Sequence, residues 1–180
     1  MNFSGHIPRK RFGQHWLIDS SVLEKILVAA DLHPHDRVLE VGPGKGALTV
    51  RLLDSPAAAV HAIEIDRSLV SGLRQRFENQ PRFTLQEGDV LSVPLTSPNG
   101  KHSTKVVANI PYNITGPLLE RLVGRLNQSP QVHYKLLVLL LQKEVADRIL
   151  AKPGQSNFSA LSVRLQLLGR CRSVCLVPSS

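Results

Sequence analysis

The stretch Val38-Leu39-Glu40-Val41-Gly42-Pro43-Gly44-Lys45-Gly46 decides the fold. A short, mostly apolar run passes directly into three glycines spaced two apart, and a helix-forming run over 47–53 follows. A run that is apolar on both faces reads as a strand covered on both faces. Glycines directly after such a strand let the chain turn sharply and let a ligand touch the backbone. The N-terminus of the next helix offers N–H groups that have no partner inside the helix. The spacing is G-x-G-x-G, which differs from the G-x-G-x-x-G of dinucleotide enzymes. It is not a P-loop either, since the long gap and the closing Lys-Ser/Thr are absent. Taken alone, the stretch also fits a plain βα turn.

The sequence on either side repeats the same alternation. Strands are expected at Arg37–Val41, Ala59–Glu64, 82–87, 105–108, 134–141 and 173–177. Helices are expected at Ser20–Ala30, 47–53, 68–77, 116–126, 144–150 and 158–168. Asp19 or Ser20 would cap the first helix, and Ser156 or Asn157 the last. Strands alternating with helices imply a doubly wound α/β architecture with a mostly parallel sheet. A length of 180 residues fits one domain with a sizeable core.

The formal charge is +8 and the sequence pI about 10.0. A balance this basic suits a polyanionic partner, nucleic acid first, although a basic surface also serves solubility. The charge is concentrated at the ends. No acid precedes Asp19, where Arg9, Lys10 and Arg11 cluster, and none follows Asp147. The longest apolar run, 136–141, is too short to span a bilayer. Cys171 and Cys175 are the two cysteines. On a strand, this spacing would put their Cα atoms roughly 13 Å apart, too far to bridge. Reduced thiols in an intracellular protein are expected.

Two acids follow the apolar runs. Glu64 closes the second run, twenty positions after Gly44. A carboxylate there can accept both hydroxyls of a ribose. Asp89 follows the third run in Glu87-Gly88-Asp89-Val90, where it would accept from an adenine amine. Either of these alone reads as a solvated strand end. Together they place plausible ligand groups at successive strand ends on one edge.

The most specific element is Asn109-Ile110-Pro111-Tyr112, directly after the fourth apolar run. The exocyclic amine of adenine is a poor nucleophile, because its lone pair is delocalised into the ring. The Asn109 side-chain oxygen and the Ile110 carbonyl would accept its N–H groups. They would hold the nitrogen in line with a methylsulfonium and favour the positive charge that develops on it. Pro111 lacks an N–H and fixes the turn. Tyr112 offers a ring for a splayed base to stack on.

At these residues the chain resembles the ribosomal RNA adenine dimethyltransferases. The likeness is strongest to the type that dimethylates two adjacent adenosines near the 3′ end of small-subunit rRNA. It runs through Arg11-Phe12-Gly13-Gln14-His15-Trp16-Leu17, the glycine stretch, Glu64, Asp89 and Asn109 to Tyr112. It continues through Leu141-Gln142-Lys143-Glu144-Val145-Ala146-Asp147-Arg148 and Leu161-Ser162-Val163. The resemblance implies a Rossmann-like class I methyltransferase fold using S-adenosylmethionine, and no metal. It implies that Gln14, His15 and Leu17, in a basic segment over 1–19, close over the methionine end of the cofactor. Gly42 and Gly44 approach the cofactor, Glu64 takes its ribose, and Asp89 and Val90 take its adenine. Glu40, Ile65 and Asn109 belong to the same cofactor-binding set. Asn109, Ile110, Pro111 and Tyr112 form the catalytic set that holds the target base. Ribosomal RNA, within a small-subunit particle, is the implied partner of a cytoplasmic monomer acting in ribosome biogenesis.

The sequence departs from the family pattern in two places. His15 stands where the family more often has Asn, and His still donates one hydrogen bond. After Ser180 the family pattern continues with a Phe that helps sandwich the base, a last antiparallel strand and a small helical domain. Residues 1–180 are therefore expected to be the catalytic domain, binding cofactor but methylating weakly or not at all without that continuation. Three other readings share these motifs. They are a macrolide-resistance dimethylase of large-subunit rRNA, a DNA adenine methyltransferase, and a non-catalytic rRNA-binding assembly or transcription factor.

Overall fold

The computed structural model describes residues 19–177. The chain begins with α1 (Ser20–Ala30), β1 (Arg37–Val41), α2 (Ala47–Asp54), β2 (Ala59–Glu64), α3 (Arg67–Arg76) and β3 (Phe83–Glu87). It continues through β4 (Lys105–Asn109), a 3-10 turn (Tyr112–Ile114), α4 (Thr115–Val123), β5 (Leu136–Leu140), α5 (Lys143–Leu150) and α6 (Ala160–Leu168).

The five strands form one sheet in the order β3-β2-β1-β4-β5, and every pair is parallel. The chain steps outward from β1 to β2 and β3, then returns past β1 to lay down β4 and β5 on the other side. The crevice beyond the carboxyl ends of β1 and β4 is thus the point where the winding reverses, which is where ligands bind in such sheets.

Side chains alternate across the sheet, so each strand feeds two cores. Val38, Val60, Val107 and Val138 pack toward α1, α2 and α3. Leu39, Ile63, Val106 and Ala108 pack on the opposite face, with Leu118 and Leu122 of α4. The apolar runs of the sequence are the consequence of this double coverage. Leu119, Ile149 and Leu165 join α4, α5 and α6 in a third cluster.

At the amino edge of the sheet, a buried cation ties three elements together. Lys105 Nζ lies 2.8 Å from Asp36 Oδ2 and donates to the carbonyls of Ala30 (3.0 Å) and Asp31 (2.6 Å). These carbonyls end α1, where Asp31 turns left-handed at φ 44°. Asp36 also accepts from the His33 N–H and the Thr104 hydroxyl.

Three sequence expectations are corrected. Residues 173–177 form no strand. Val177 instead packs against the α1 side of the core. The argument that separated the two cysteines along a strand falls with it, and both thiols are free. The last helix starts later than expected, capped by Ser159 and not by Ser156 or Asn157. The Asn157 amide is committed elsewhere, donating to the Asp147 carbonyl at 3.1 Å, while the Ser159 N–H donates to Ser162 Oγ at 3.0 Å. The strand expected over 134–141 is Leu136–Leu140.

Candidate active site at the carboxyl edge of the sheet

The glycine loop follows β1 with φ of 65°, 61° and 81° at Gly42, Gly44 and Gly46. At Gly44 this conformation presents the N–H to Glu64 Oε2 at 3.1 Å. At Gly46 the need is also steric. A Cβ would come within 2.9 Å of the Phe77 ring of the α3 end, so the loop sits low against the helix layer.

Glu64 ends β2 and is buried. Its second oxygen accepts the Asp66 N–H at 2.9 Å. Both oxygens are therefore oriented by backbone, and each keeps a second lone pair that can accept another hydrogen. Burial pushes this carboxyl up, while the N–H groups of Asp66 and Gly44 pull it down; the net shift is upward. Asp66, in turn, caps α3 by accepting the Ser68 N–H.

Glu40 lies on the same face of the sheet, in register with Ala62 of β2; it is only 1% exposed, and its Oε2 accepts the Thr49 hydroxyl of α2 at 2.8 Å. Burial raises its carboxyl to about 8; the Thr49 bond opposes this and the nearby Glu64 charge adds to it. The fold thus favours the neutral acid. A Glu in the unfolded chain titrates at roughly 4.3. The folded state then binds more protons between these values, so stability should fall as pH rises from about 4.3 to about 8. Glu40→Gln is expected to flatten that fall, read as thermal unfolding at pH 5 and pH 8. A variant that loses as much stability over that range as the parent would contradict the assignment.

Beyond β3, the Gly88 N–H donates to the Glu64 carbonyl at 2.9 Å, which brings the Asp89 loop to the β2 end. Asp89 Oδ1 accepts the Leu91 N–H at 2.9 Å, and its carbonyl accepts from Ser92 and Val93. Val90 is buried beside it, whereas Ile65, after Glu64, is 44% exposed.

β4 runs one residue further than expected and includes Asn109, which pairs in register with Leu140. The Ile110 N–H donates to the Leu140 carbonyl at 3.2 Å, which ties the backbone entering Ile110 to β5. Pro111 crosses toward the glycine loop, where a Cβ on Gly42 would stand 3.7 Å from its ring. Tyr112 opens the 3-10 turn and is 36% exposed.

The structure therefore brings together the ends of β1, β2, β3 and β4, with Glu40, Gly42, Gly44, Glu64, Asp89, Val90, Asn109, Ile110, Pro111 and Tyr112 along one edge. Gln14, His15 and Leu17, with the basic cluster of Arg9, Lys10 and Arg11, lie outside the described residues. Sequence reasoning missed Thr49, which sits a few residues into α2 on its buried face. It also missed Arg121, a half-buried cation that stands between Leu118 and Leu122 in the sequence of α4. Among the described residues, no group of three or more His, Cys, Asp or Glu could hold a metal ion, and no helix is long and apolar enough to cross a membrane.

The chain is 72% identical over 178 residues to a ribosomal RNA small subunit methyltransferase A from Prochlorococcus marinus (strain MIT 9313). It is 70% identical to the one from Synechococcus sp. (strain WH7803). These alignments cover 99% of this chain and 64% of each relative, so the chain spans just under two thirds of their length. Among solved structures, it superposes on a dimethyladenosine transferase from Plasmodium falciparum with a TM-score of 0.73 at 35% identity, covering 85% of this chain and 52% of that one. It superposes on the 23S rRNA methyltransferase ErmE with a TM-score of 0.61 at 29% identity, covering 74% and 50%. Residues 5–180 match the ribosomal RNA adenine dimethylase family. With these matches on the doubly wound sheet and its glycine loop, the chain belongs to the ribosomal RNA adenine dimethylase family.

Proposed function

We propose that the protein transfers methyl groups from S-adenosylmethionine to the N6 amine of adenosines in ribosomal RNA. In this reading the targets are two adjacent adenosines near the 3′ end of the small-subunit rRNA, and the protein works as a cytoplasmic monomer on a small-subunit particle. The observation that carries it is the meeting of two half-sites in one crevice. A carboxylate oriented by backbone at the β2 end faces the same edge as the Asn109-Ile110-Pro111-Tyr112 segment at the β4 end. The small-subunit target is supported by the names of the relatives.

The residues present fit an adenosyl group. Glu64 keeps two acceptor positions for a ribose diol, its oxygens already fixed by the Gly44 and Asp66 N–H groups. Asp89 can accept from an adenine amine, with Val90 as an apolar wall. Gly42 and Gly44 let the backbone come close, and Gln14, His15 and Leu17 would close over the methionine end. When bound, S-adenosylmethionine supplies an electrophilic methyl group. The chain's own residues do the rest. Asn109 and the Ile110 carbonyl accept the N–H groups of the target amine, hold its lone pair toward the cofactor side, and favour the charge that grows on nitrogen. The Ile110 N–H bond to Leu140 on one side and the Pro111 ring on the other restrain the backbone around this acceptor, which limits its reorganisation. Tyr112 presents a stacking face for the extruded base.

Glu64→Ala should weaken cofactor binding by roughly 1.5–3 kcal/mol, the range for hydrogen bonds to a charged group. Glu64→Gln should also lose affinity. Both oxygens accept backbone N–H groups, and an amide would turn its NH2 against one of them. Calorimetric titration giving equal affinities for parent and variants would remove Glu64 from the site.

The substrate assignment is tested with matched RNA and DNA of the same sequence. Methylation of RNA, seen as primer-extension stops at dimethylated adenosines, is the expected result. Equal or greater transfer to DNA would favour a DNA adenine methyltransferase instead.

A further inference from the structure

We propose that Arg121 is a positioning residue for the adenine end of the cofactor, joining the Asp89 loop to the helix that follows the target-base segment. This rests on the reading above that Asp89 accepts from the cofactor's adenine amine.

The loop from Asp89 to Val93 is closed on itself by Asp89. Its side chain accepts the Leu91 N–H, and its carbonyl accepts those of Ser92 and Val93. The Val90 and Val93 carbonyls take no part in that closure, and one guanidinium binds both. Arg121 Nη1 donates to the Val90 carbonyl at 2.8 Å, and Nη2 donates to the Val93 carbonyl at 2.6 Å. Two donors of one planar fork fix an orientation as well as a distance, which a single ammonium does not do. Arg121 is half-buried between Leu118 and Leu122, which anchor α4 in the core.

The other end of α4 belongs to the base side. The helix follows the 3-10 turn that Tyr112 opens, and the Thr115 hydroxyl donates to the Pro111 and Tyr112 carbonyls at 3.4 and 3.3 Å. A helix is a stiff connector, so Arg121 sets where the Asp89 and Val90 backbone stands relative to Asn109 and Tyr112. The spacing between the two half-sites is the quantity an in-line transfer depends on, and small displacements there are costly. The Val90 carbonyl held by Arg121 is part of the residue whose side chain would wall the adenine, and it adjoins the residue that would read the amine.

The test measures binding of two ligands to the protein by calorimetry. One is S-adenosylhomocysteine. The other is S-inosylhomocysteine, whose base carries an oxygen where adenine has the amine. The parent should prefer the adenine ligand by about ten- to a hundredfold, the size of one hydrogen bond to a charged group. Arg121→Met should collapse that preference by mispositioning Asp89. A purely structural role for Arg121 would weaken both ligands by the same factor and leave the preference intact; that result would overturn the proposal. Arg121→Lys keeps the cation and loses the fork. Should the methionine variant fail to fold, an intermediate preference in the lysine variant supports the proposal and an unchanged preference overturns it. Asp89→Ala separates the two levels of the argument. If it keeps the parent's preference, the assignment of Asp89 to the adenine amine is wrong. If it loses the preference while Arg121→Met retains it, only the positioning role is wrong.

Discussion

Replacing Asn109 with Ala should slow single-turnover methyl transfer by roughly 10²–10³-fold, the usual effect of removing one preorganised group aimed at developing charge. Cofactor affinity should change far less. Asn109 is the last residue of β4 and pairs with Leu140, so its backbone is held by the sheet and the substitution removes the side-chain acceptor without moving the strand. The amine nitrogen becomes positive only as the new bond forms. An acceptor on its N–H groups is therefore worth more in the transition state than in the ground state, and its loss should lower the rate and not the binding. Rapid-quench measurement of transfer to RNA, alongside calorimetry of the cofactor, checks both halves. A variant that binds cofactor poorly and transfers normally once saturated would assign Asn109 to cofactor binding.

The largest expected loss of stability lies at the opposite edge of the sheet. Lys105→Met should cost about 3–5 kcal/mol at neutral pH, because it leaves the Asp36 carboxylate buried without its partner. Both side chains are nearly inaccessible, and Lys105 also satisfies the last carbonyls of α1. Burial alone would raise the Asp36 carboxyl. The Lys105 ion pair and the hydrogen bonds from the His33 N–H and Thr104 outweigh it and hold the group down at about 2. In the unfolded chain an Asp titrates at roughly 3.9. The stabilisation is thus complete above that value and disappears as pH falls through about 2, where the carboxylate is protonated in the folded state too. Urea unfolding of the parent and of Lys105→Met at pH 7 and pH 3 should show a gap that narrows at low pH. A double variant, Lys105→Met with Asp36→Leu, should recover part of the loss, since an apolar pair can replace a buried ion pair. A gap that does not change with pH would mean that lost packing, and not charge, accounts for the effect.

The fold was legible where two signals coincided. β1 and β2 were read to the residue, because each combines a mostly apolar run with a polar or glycine stop. The 173–177 run shows the limit of periodicity. It is apolar enough for a strand, but a strand exists only where a neighbour supplies hydrogen bonds, and these residues pair with none of the five described strands. At the last helix, propensity pointed to Ser156 or Asn157 as the cap, whereas Ser159 holds that place. A tertiary contact decided among them, the Asn157 amide reaching the Asp147 carbonyl.

The site shows the same division. Residues that announce themselves by spacing, such as Gly42, Gly44, Glu64, Asp89 and Asn109, fall on one edge as their strand-end positions require. Arg121 and Thr49 do not announce themselves, since their roles come from helices that pack against the two faces of the sheet. For Arg121 the only local trace is a charge set among leucines on an apolar helix face, which reads equally as a snorkelling surface residue. The direct Gly44 to Glu64 hydrogen bond, across twenty residues, could be located only by knowing that β1 and β2 are neighbours.

The most direct test of the central claim is made on RNA from the cell. Small-subunit rRNA is isolated from a strain lacking this gene and from the same strain carrying it back, either unaltered or as Asn109→Ala, and its nucleosides are measured by mass spectrometry. The account predicts that N6,N6-dimethyladenosine is missing from the deletion strain, returns with the unaltered gene and does not return with Asn109→Ala. Dimethyladenosine at parental levels in the deletion strain would contradict it.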